Sequence, residues 1–400
     1  MLLHILYIFS AILFVYLCIS SVYMLIVVAG GRVRKAPVYT SFPDKKRIAV
    51  LIPSYKEDNI ILDTAVKALK QDYPAESFRV FVIADKLRVD TVEKLKSLPL
   101  QVVEVRFEIS MKAKSMHAAL ESIPAGQYDI AMVLDADNVM AQGCLEKVNH
   151  AFHSGFQAVQ CHRVAKNKNN AVAVLDAISE EINNQLFRIG QRAFGFSSAL
   201  IGSGMAFEFE KLKAIFNLQT ILNNAGEDRE IDLQLMKDRI PIEFIREAFV
   251  YDEKVSSQAV FEKQRTRWLE AQVNNFKRFF DGDMRPLSNR RIYWYKLFQT
   301  LLLPRSLYLL VFALLMTLVF MGWIFHYPVL YPAGYWWVLV LAIYASSLLL
   351  AIPASFFTMD TLRAIIHLPG LILSMVRALF KMKSNRKEFL HTPKLHTGDS

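Results

Sequence analysis

The uncharged stretches of this chain constrain its fold more than any other feature. Residues 1–30 contain no Asp, Glu, Lys or Arg, and neither do residues 306–359. A helix rises about 1.5 Å per residue and the hydrocarbon core of a bilayer is about 30 Å thick, so both stretches are long enough to span it. Prolines and a glycine interrupt the second stretch at residues 327–335, which predicts two helices joined by a turn. We therefore expect three membrane spans.

The basic residues are concentrated beside these stretches. Residues 31–47 hold six basic and one acidic residue, whereas residues 277–305 and 361–400 each hold seven basic and two acidic residues. Cytoplasmic loops of membrane proteins are enriched in Lys and Arg, so residues 31–305 should lie in the cytoplasm, at the plasma or inner membrane. Because the net charge of +10 comes from these flanks, we expect no nucleic acid among the partners.

Two further apolar segments, residues 292–304 and 364–380, are too short or too interrupted to span and are predicted to lie on the membrane surface. The predicted organisation is an N-terminal transmembrane helix (1–30), a cytoplasmic domain (31–280), an interfacial helix (281–305), two transmembrane helices (306–359), and an amphipathic interfacial helix with a basic tail (360–400).

Short β-branched runs alternate with helical patterns in the first part of the cytoplasmic domain. The predicted strands are 47–53, 79–84, 101–107 and 130–134, and the predicted helices are 60–71, 90–97 and 112–122. This alternation is typical of the α/β class, with a mainly parallel sheet covered by helices. Ligands of such sheets bind beyond the carboxyl ends of the strands, where this chain has polar residues.

Asp135 and Asp137 follow the last of these strands. Two carboxylates at positions i and i+2 of a strand point to the same side and repel each other unless a cation joins them. A hard divalent ion that keeps part of its shell for water and phosphate would do so, and the alternative is a loop without a metal. Asp281-Gly282-Asp283 has the same spacing in a turn, and we assign it no role.

Asp228 lies in Gly226-Glu-Asp-Arg-Glu230, at the start of a helical pattern. A carboxylate in this position either caps the helix or acts as a general base.

Two other motifs also have both a structural and a functional interpretation. Gln264, Arg267 and Trp268 share one face of a helix predicted over 258–279, where they either pack and face solvent or bind a ligand. Gly202-Ser203 precedes an apolar strand and is either a tight loop or part of a site.

In this order, the motifs resemble the membrane-embedded glycosyltransferases of family 2, which include cellulose, hyaluronan, chitin and poly-N-acetylglucosamine synthases and ceramide glucosyltransferase. The matching segments are LIPSYKED (51–58), IAD (83–85), MKAKSMHAAL (111–120), VLDAD (133–137), GSGMAFE (202–208), GEDRE (226–230) and QRTRW (264–268). The resemblance covers about residues 47–270 and the flanking helices, and it implies a GT-A-type nucleotide-sugar-binding domain. Residues 389–394 resemble the gating loop of cellulose synthase, with His where that motif has Val.

The resemblance implies a role for each matching residue. Asp228, with Glu227 beside it, would be the catalytic base, and Asp137 with Asp135 would bind Mg²⁺ or Mn²⁺. Trp268, Gly202 and Ser203 would line the acceptor site. The residues implied to hold a UDP-sugar are Ser54, Tyr55, Glu57, Asp85, Lys112, Lys114, Asp135, Gln264, Arg267, Thr392 and Lys394.

The activity that the resemblance implies is metal-dependent, inverting transfer of a hexose from a UDP-sugar. The expected acceptor is a growing polysaccharide at the cytoplasmic membrane face. Three spans make a small channel, so this acceptor would require a partner subunit or self-association. The alternative is transfer of a single sugar to a lipid in the bilayer, and a minor alternative is a non-catalytic nucleotide-binding membrane subunit.

Overall fold

The computed structural model describes residues 2–222, 226–255, 257–282, 284, 287, 290–327 and 329–382. The strands in this part of the chain are β1 (Ile48–Tyr55), β2 (Phe78–Asp85), β3 (Gln101–Val105), β4 (Ile130–Val133), β5 (Val139–Met140), β6 (Ala158–Ala165), β7 (Met205–Glu208) and β8 (Glu243–Asp252). The helices are α1 (Leu2–Val33), α2 (Ile61–Leu69), α3 (Val89–Lys96), α4 (Lys112–Ser122), α5 (Cys144–His153), α6 (Ala171–Asn184), α7 (Gly190–Ala193), α8 (Phe209–Phe216), α9 (Gln219–Leu222), α10 (Glu227–Lys237), α11 (Gln258–Arg278), α12 (Arg291–Leu301), α13 (Arg305–Ile324), α14 (Gly334–Ala351), α15 (Met359–Ile365) and α16 (Leu368–Lys381).

The described strands form one sheet in the order β3-β2-β1-β4-β7-β6-β8-β5. β3, β2, β1 and β4 are mutually parallel, as are β6 and β8, whereas β7 is antiparallel to both of its neighbours and β5 is antiparallel to β8. The sheet is therefore mixed but mostly parallel, and the predicted α/β class is confirmed.

Both faces of the sheet are buried, which explains the continuous apolar runs in its central strands. Along β1, Ile48, Val50 and Ile52 point into one core, and Ala49 and Leu51 point into the other. Helices cover each face, so the polar residues of the domain are left to the ends of the strands.

The topology brings several strand ends to one edge of the sheet. The parallel strands β1, β2 and β4 end there, and the antiparallel strand β7 begins there. β6 and β8 run in the same direction as β4, because β6 is antiparallel to β7, so they end at this edge as well. A ligand in the crevice at this edge can therefore contact segments that are far apart in sequence.

In the described part of the chain, three helices, α1, α13 and α14, are long and apolar enough to cross a membrane, and they coincide with the predicted spans. Among the described residues the space between them is filled by side chains that include Leu17, Tyr308, Trp337 and Tyr344, each fully buried. α15 and α16 meet at a bend of 48° and together also pass the length and hydropathy test, as one broken span or a re-entrant pair.

One side of α16 packs against α11 of the α/β domain. Gln258 Nε2 donates to the Gly370 carbonyl at 2.7 Å and to Ser374 Oγ at 2.9 Å. Lys381 Nζ lies 2.5 Å from Glu262 Oε1. The opposite side exposes large apolar residues, among them Leu373 and Phe380. The interfacial position of this helix therefore stays a prediction, since the bent pair also has the length and hydropathy of a span.

The end of α1 docks on the α/β domain through glycines. A π-helical turn over Gln185–Ile189 leads into α7, which begins at Gly190. A Cβ on Gly190 would lie 2.4 Å from Val27 Cγ1 and 2.5 Å from the Val27 carbonyl oxygen. Gly31 is similarly close, since its Cβ would lie 3.1 Å from the Gly190 Cα. The two backbones therefore approach at a distance that only glycine permits.

We expect Gly190→Ala to destabilise this docking, because the added methyl group clashes with backbone that has little room to move. Overpacking of this kind costs roughly 1–3 kcal/mol in free energy of unfolding. The measurement is thermal unfolding in detergent, with Gly282→Ala as the control because a Cβ there meets no atom within 4 Å. Equal unfolding temperatures for the two variants would contradict the close packing of α1 on α7.

Candidate active site

The carboxyl ends of the parallel strands carry the first group of predicted site residues. Tyr55 ends β1 and is paired in register with Asp85, which ends β2. β4 ends two residues before Asp135. β7 starts at the same edge, so Gly202 and Ser203, which precede it, lie beside the turn that contains Asp135.

Asp85 is a buried carboxylate, and neither of its oxygens has a hydrogen-bond partner among the described residues. The hydroxyl groups of Ser54 and Ser110 are also buried without a partner there. Burial raises the pKa of Asp85 above the usual carboxyl value, although the neighbouring Ser110 hydroxyl and Lys86 ammonium oppose the shift. Buried polar groups without partners call for a ligand that satisfies them, so these three side chains form a candidate subsite for a ligand with N–H donors.

Ser110 was not predicted as a site residue. It lies in the loop before α4, where no motif or periodicity distinguishes it. Its place in the site follows from burial beside Asp85, which only the folded chain shows.

The Tyr55 ring lies between two cations at the rim of this subsite. The ammonium groups of Lys56 and Lys86 are 5.4 and 5.8 Å from the ring centroid. Both lysines have positive φ angles, 57° and 56°, which are uncommon for residues other than glycine. Glu57 follows in the turn before α2, where its carbonyl accepts the N–H of Ile61 at 3.1 Å.

Asp135 and Asp137 lie in a turn between β4 and β5, because β4 already ends at Val133. The prediction that the two carboxylates share one side of a strand is therefore wrong, since that alternation holds only in extended chain. Ser203 Oγ fixes the turn by accepting the N–H of Asp135 at 2.9 Å and donating to Asn138 Oδ1 at 3.0 Å. Asp137 is 6% exposed, whereas the Asp135 side chain is 35% exposed.

Lys112 connects this turn to the acidic pair of α10. Its Nζ lies 2.5 Å from Asp135 Oδ1, 3.3 Å from Glu227 Oε1 and 2.6 Å from the Gly202 carbonyl oxygen. Burial alone would lower the pKa of the Lys112 ammonium, but the charges of Asp135 and Glu227 outweigh burial and raise the pKa. One ammonium group therefore holds together segments that are more than 90 residues apart.

Glu227 and Asp228 occupy the first turn of α10. The interpretation of Asp228 as the helix cap is wrong, because Gly226 is the N-cap residue of α10 and no side chain caps the helix. Asp228 Oδ1 instead accepts the N–H of Arg229 at 2.8 Å. A Cβ on Gly202 would lie 3.8 Å from both Asp228 Oδ2 and Lys112 Nζ, so Asp228 borders the same cluster. Burial raises the pKa of Glu227; Lys112 opposes this shift and Asp228 adds to it.

The QRTRW motif lies in the first half of α11. Gln264, Arg267 and Trp268 are all partly buried, and Gln264 Oε1 is buried without a partner among the described residues. Arg265, to which the sequence assigned no role, is more buried and forms an ion pair with Asp176 of α6. Its guanidinium carbon lies 4.1 Å from the centroid of the Trp268 ring.

A buried charged network that the sequence did not reveal lies between α6 and the ends of β6 and β8. Glu180 pairs with Arg163 at 2.9 Å and with Lys254 at 3.2 Å, and Lys254 also pairs with Asp252 at 2.7 Å. Burial alone would raise the pKa of Glu180, but Arg163 and Lys254 outweigh burial and lower it. These residues belong to no recognised motif, so only their common burial identifies them.

Lys114, a predicted donor-binding residue, makes its hydrogen bond outside this cluster. Its Nζ donates to the Ile109 carbonyl at 3.2 Å, in the loop before α4. Thr392 and Lys394 lie outside the described residues, as does the rest of the gating-like tail.

The acidic residues fit a divalent cation only if a ligand completes its shell. Among the described residues no group of three or more His, Cys, Asp and Glu side chains is placed to hold a metal ion. Asp135 and Asp137 supply hard carboxylate oxygens from one short turn, as Mg²⁺ and Mn²⁺ prefer. The phosphate oxygens of a nucleotide would have to supply the remaining ligands.

We expect Asp85→Asn to stabilise the folded protein and to weaken nucleotide binding. A raised pKa means that the ionised carboxylate destabilises the fold above that pKa, and that the effect disappears below the unfolded value of about 3.9. The variant should therefore unfold at a higher temperature at neutral pH, and the gain should vanish near pH 4. Losing a hydrogen bond to a charged acceptor should weaken UDP binding by roughly tenfold or more.

The measurements are thermal unfolding between pH 4 and 8 and calorimetric titration with UDP. Asp129→Asn is the matched control, because hydrogen bonds and charge from Arg47 lower the pKa of Asp129, despite the opposing effect of burial. That variant should lose stability at neutral pH and bind UDP normally. Loss of stability in both variants would refute the unpaired state of Asp85.

Comparisons with known proteins identify the fold and the family of the chain. The chain is 22% identical over 253 residues to the beta-monoglucosyldiacylglycerol synthases of Nostoc sp. and Trichormus variabilis. The match covers 62% of this chain and 53% of each relative, so the chain spans about half the length of these curated relatives. Mannosyltransferase PcManGT from Pyrobaculum calidifontis, solved with GDP-Man and Mn²⁺, superimposes with a TM-score of 0.55 at 17% identity, covering 93% of this chain and 97% of that one. This likeness shows the GT-A-type fold. The model of the family described as "Glycosyltransferase like family 2" matches residues 43–271, and the chain belongs to that family of nucleotide-sugar transferases.

Proposed function

We propose that this protein is a metal-dependent, inverting glycosyltransferase that moves a single sugar from a UDP-sugar to a lipid acceptor at the cytoplasmic face of a membrane. The observation that carries the proposal is the cluster around Lys112, in which the DxD turn, the Gly202 loop and the acidic pair of α10 converge. This convergence supports a single cleft that would hold both the metal and the catalytic base.

The donor nucleotide is assigned to the subsite at the ends of β1 and β2. The unpaired carboxylate of Asp85 is suited to accept the ring N–H of uracil, and the Ser54 hydroxyl lies buried nearby. Tyr55 offers an aromatic face at the rim, where Lys56 and Lys86 add positive charge for the phosphates. A guanine base also carries a ring N–H, so the choice of UDP rests on the family resemblance and requires testing.

Lys112 is assigned two partners in turn. In the structure it neutralises Asp135, and a diphosphate entering the cleft would present stronger and more numerous acceptors to the same ammonium group. Asp135 would then be released from Lys112. Together with Asp137 it would hold a divalent cation against the diphosphate. The cation would supply Lewis-acid stabilisation of the departing UDP. Donor and metal are therefore expected to bind together.

Asp228 is assigned the role of general base. An inverting transfer removes one proton from the acceptor hydroxyl as that oxygen attacks the anomeric carbon, and a positioned carboxylate contributes roughly 10²–10⁴-fold. Asp228 borders the cluster at Gly202, whereas Glu227 is engaged with Lys112 and has a raised pKa because it is buried. UDP leaves without protonation, so a second catalytic carboxylate is unnecessary.

A lipid acceptor fits the membrane region better than a polysaccharide does. The described part of the three candidate spans is packed around buried aromatic rings, and a single copy offers no path for a sugar chain between them. α11 carries Trp268 and contacts α16, whose other side exposes apolar residues suited to the membrane surface. The curated relatives at 22% identity are named as glycolipid synthases, which supports the same class of acceptor.

The product of the reaction tests this proposal. We expect the purified protein, with dioleoylglycerol in detergent micelles and Mn²⁺, to form a lipid that carries one hexose. The donors compared are UDP-glucose, UDP-galactose, UDP-N-acetylglucosamine and GDP-mannose, with product length determined by mass spectrometry. A ladder of products that each carry many sugars would establish the alternative hypothesis of a polysaccharide synthase. The absence of transfer from every donor would refute the proposed activity.

We expect Asp228→Asn to lower the rate of transfer by at least about 10²-fold and to leave UDP binding within about twofold, because only proton removal is lost. The measurements are initial rates with saturating donor and calorimetric titration with UDP. Asp232→Asn is the matched control one turn later on α10, where Lys296 binds the carboxylate 2.7 Å away. Unchanged turnover in Asp228→Asn would refute its assignment as the base.

A further inference from the structure

Arg265 is held in a sandwich on the surface of α11. Its guanidinium carbon lies 4.1 Å from the ring centroid of Trp268 and 4.5 Å from that of Phe261. The three residues lie on one side of the helix, because they follow at intervals of four and three. Arg265 is 7% exposed, so this is an interior contact in which a planar cation stacks favourably on aromatic faces.

Asp176 anchors this sandwich from the facing helix α6. Its Oδ1 accepts a hydrogen bond from Arg265, and the pair is buried on both sides. Burial lowers the pKa of the Arg265 guanidinium, and Asp176 opposes that shift as its nearest counter-charge. The ion pair therefore fixes where the guanidinium lies, and the guanidinium in turn fixes one face of the indole.

α6 is itself held firmly, which makes it a suitable anchor. Arg305, at the start of α13, donates to Asn183 Oδ1 at 2.6 Å and to Ser179 Oγ at 2.6 Å. Glu180, on the same helix, is paired with Arg163 at the end of the sheet. Asp176 thus connects α11 to a helix that is fixed to both the sheet and the first residue of a predicted span.

We propose that Asp176 and Arg265 are positioning residues that hold the Trp268 indole in the orientation in which it receives the acceptor. The inference rests on the proposed function and on the acceptor-site role that the family resemblance implies for Trp268. Trp268 is only partly buried, so the indole keeps a surface that a ligand can contact. Without the guanidinium on its other face, the indole would sample several rotamers, and acceptor binding would have to select one of them.

The first measurement needs no acceptor. The near-ultraviolet circular dichroism of Trp268 is obtained as the difference between the wild-type protein and Trp268→Phe, because an immobilised indole gives a signal that a mobile one lacks. We expect Arg265→Met to lose most of this signal. Glu262→Gln should retain it, because that variant breaks a different ion pair of the same helix, the one with Lys381.

The second measurement separates acceptor from donor. With dioleoylglycerol as acceptor, Arg265→Met should raise the acceptor KM by about tenfold, the factor that corresponds to one well-formed cation–π contact, and leave the donor KM within about twofold. The acceptor KM of Arg265→Lys should lie between those of the wild-type protein and Arg265→Met, since a lysine keeps the charge opposite Asp176 but does not stack flat on the rings. Asp176→Asn should also raise the acceptor KM, and Asp176→Glu should undo most of that rise.

A double-mutant cycle shows whether Arg265 acts through Trp268. In a Trp268→Ala background, Arg265→Met should change the acceptor KM by less than about twofold. A single variant that leaves one buried charge without its partner can fail to fold. In that case the double variant Asp176→Asn/Arg265→Met, which removes both charges, is used in its place.

Full additivity in the cycle, equal rises in donor and acceptor KM, or an unchanged Trp268 signal in Arg265→Met would each overturn the inference. A normal acceptor KM in Trp268→Ala would overturn it as well. Failure of the proposed function gives a different result, namely no transfer by the wild-type protein, and the spectroscopic measurement then still decides whether Arg265 positions Trp268.

Discussion

The ion bridge centred on Lys112 is the interaction on which the cleft depends. Its ammonium group contacts Asp135, Glu227 and the Gly202 carbonyl, which belong to the turn after β4, the first turn of α10 and the loop before β7. Without it, three carboxylates, including Asp228, would face one another across a partly dry site, and like charges at such distances are strongly unfavourable. The proposed function assigns this same ammonium group to the diphosphate of the donor.

The remainder of the fold supplies the frame for this bridge. Parallel strands end at one edge, and the antiparallel strand β7 returns the Gly202 loop to it, so the segments that follow β1, β2 and β4 lie at the same edge as that loop. α6 then links α11 to the candidate span α13, because Asp176 binds Arg265 of α11 and Arg305, the first residue of α13, binds the other end of α6.

Much of this arrangement could be predicted from the sequence, because periodicity and strand ends are local signals. The span limits, the α/β alternation and the segments around Asp85, Asp135 and Asp228 all follow from patterns of a few residues. The turn at Asp135–Asp137 could not, since the end of β4 depends on its pairing with β1 and β7. Ser110, Arg265, Asp176 and Glu180 were missed for a related reason: their importance lies in burial and in partners distant in sequence.

Metal binding with and without nucleotide tests the central claim most directly. Titration of the donor-free protein with Mn²⁺, followed by the electron paramagnetic resonance signal of the free ion, should show weak binding that UDP strengthens at least tenfold. Lys112→Met should bind Mn²⁺ more tightly than the wild-type protein when UDP is absent, because Asp135 has lost its counter-ion. Lys114→Met should behave as the wild type. Equal Mn²⁺ affinities for the wild-type protein and Lys112→Met, or no effect of UDP, would contradict the account.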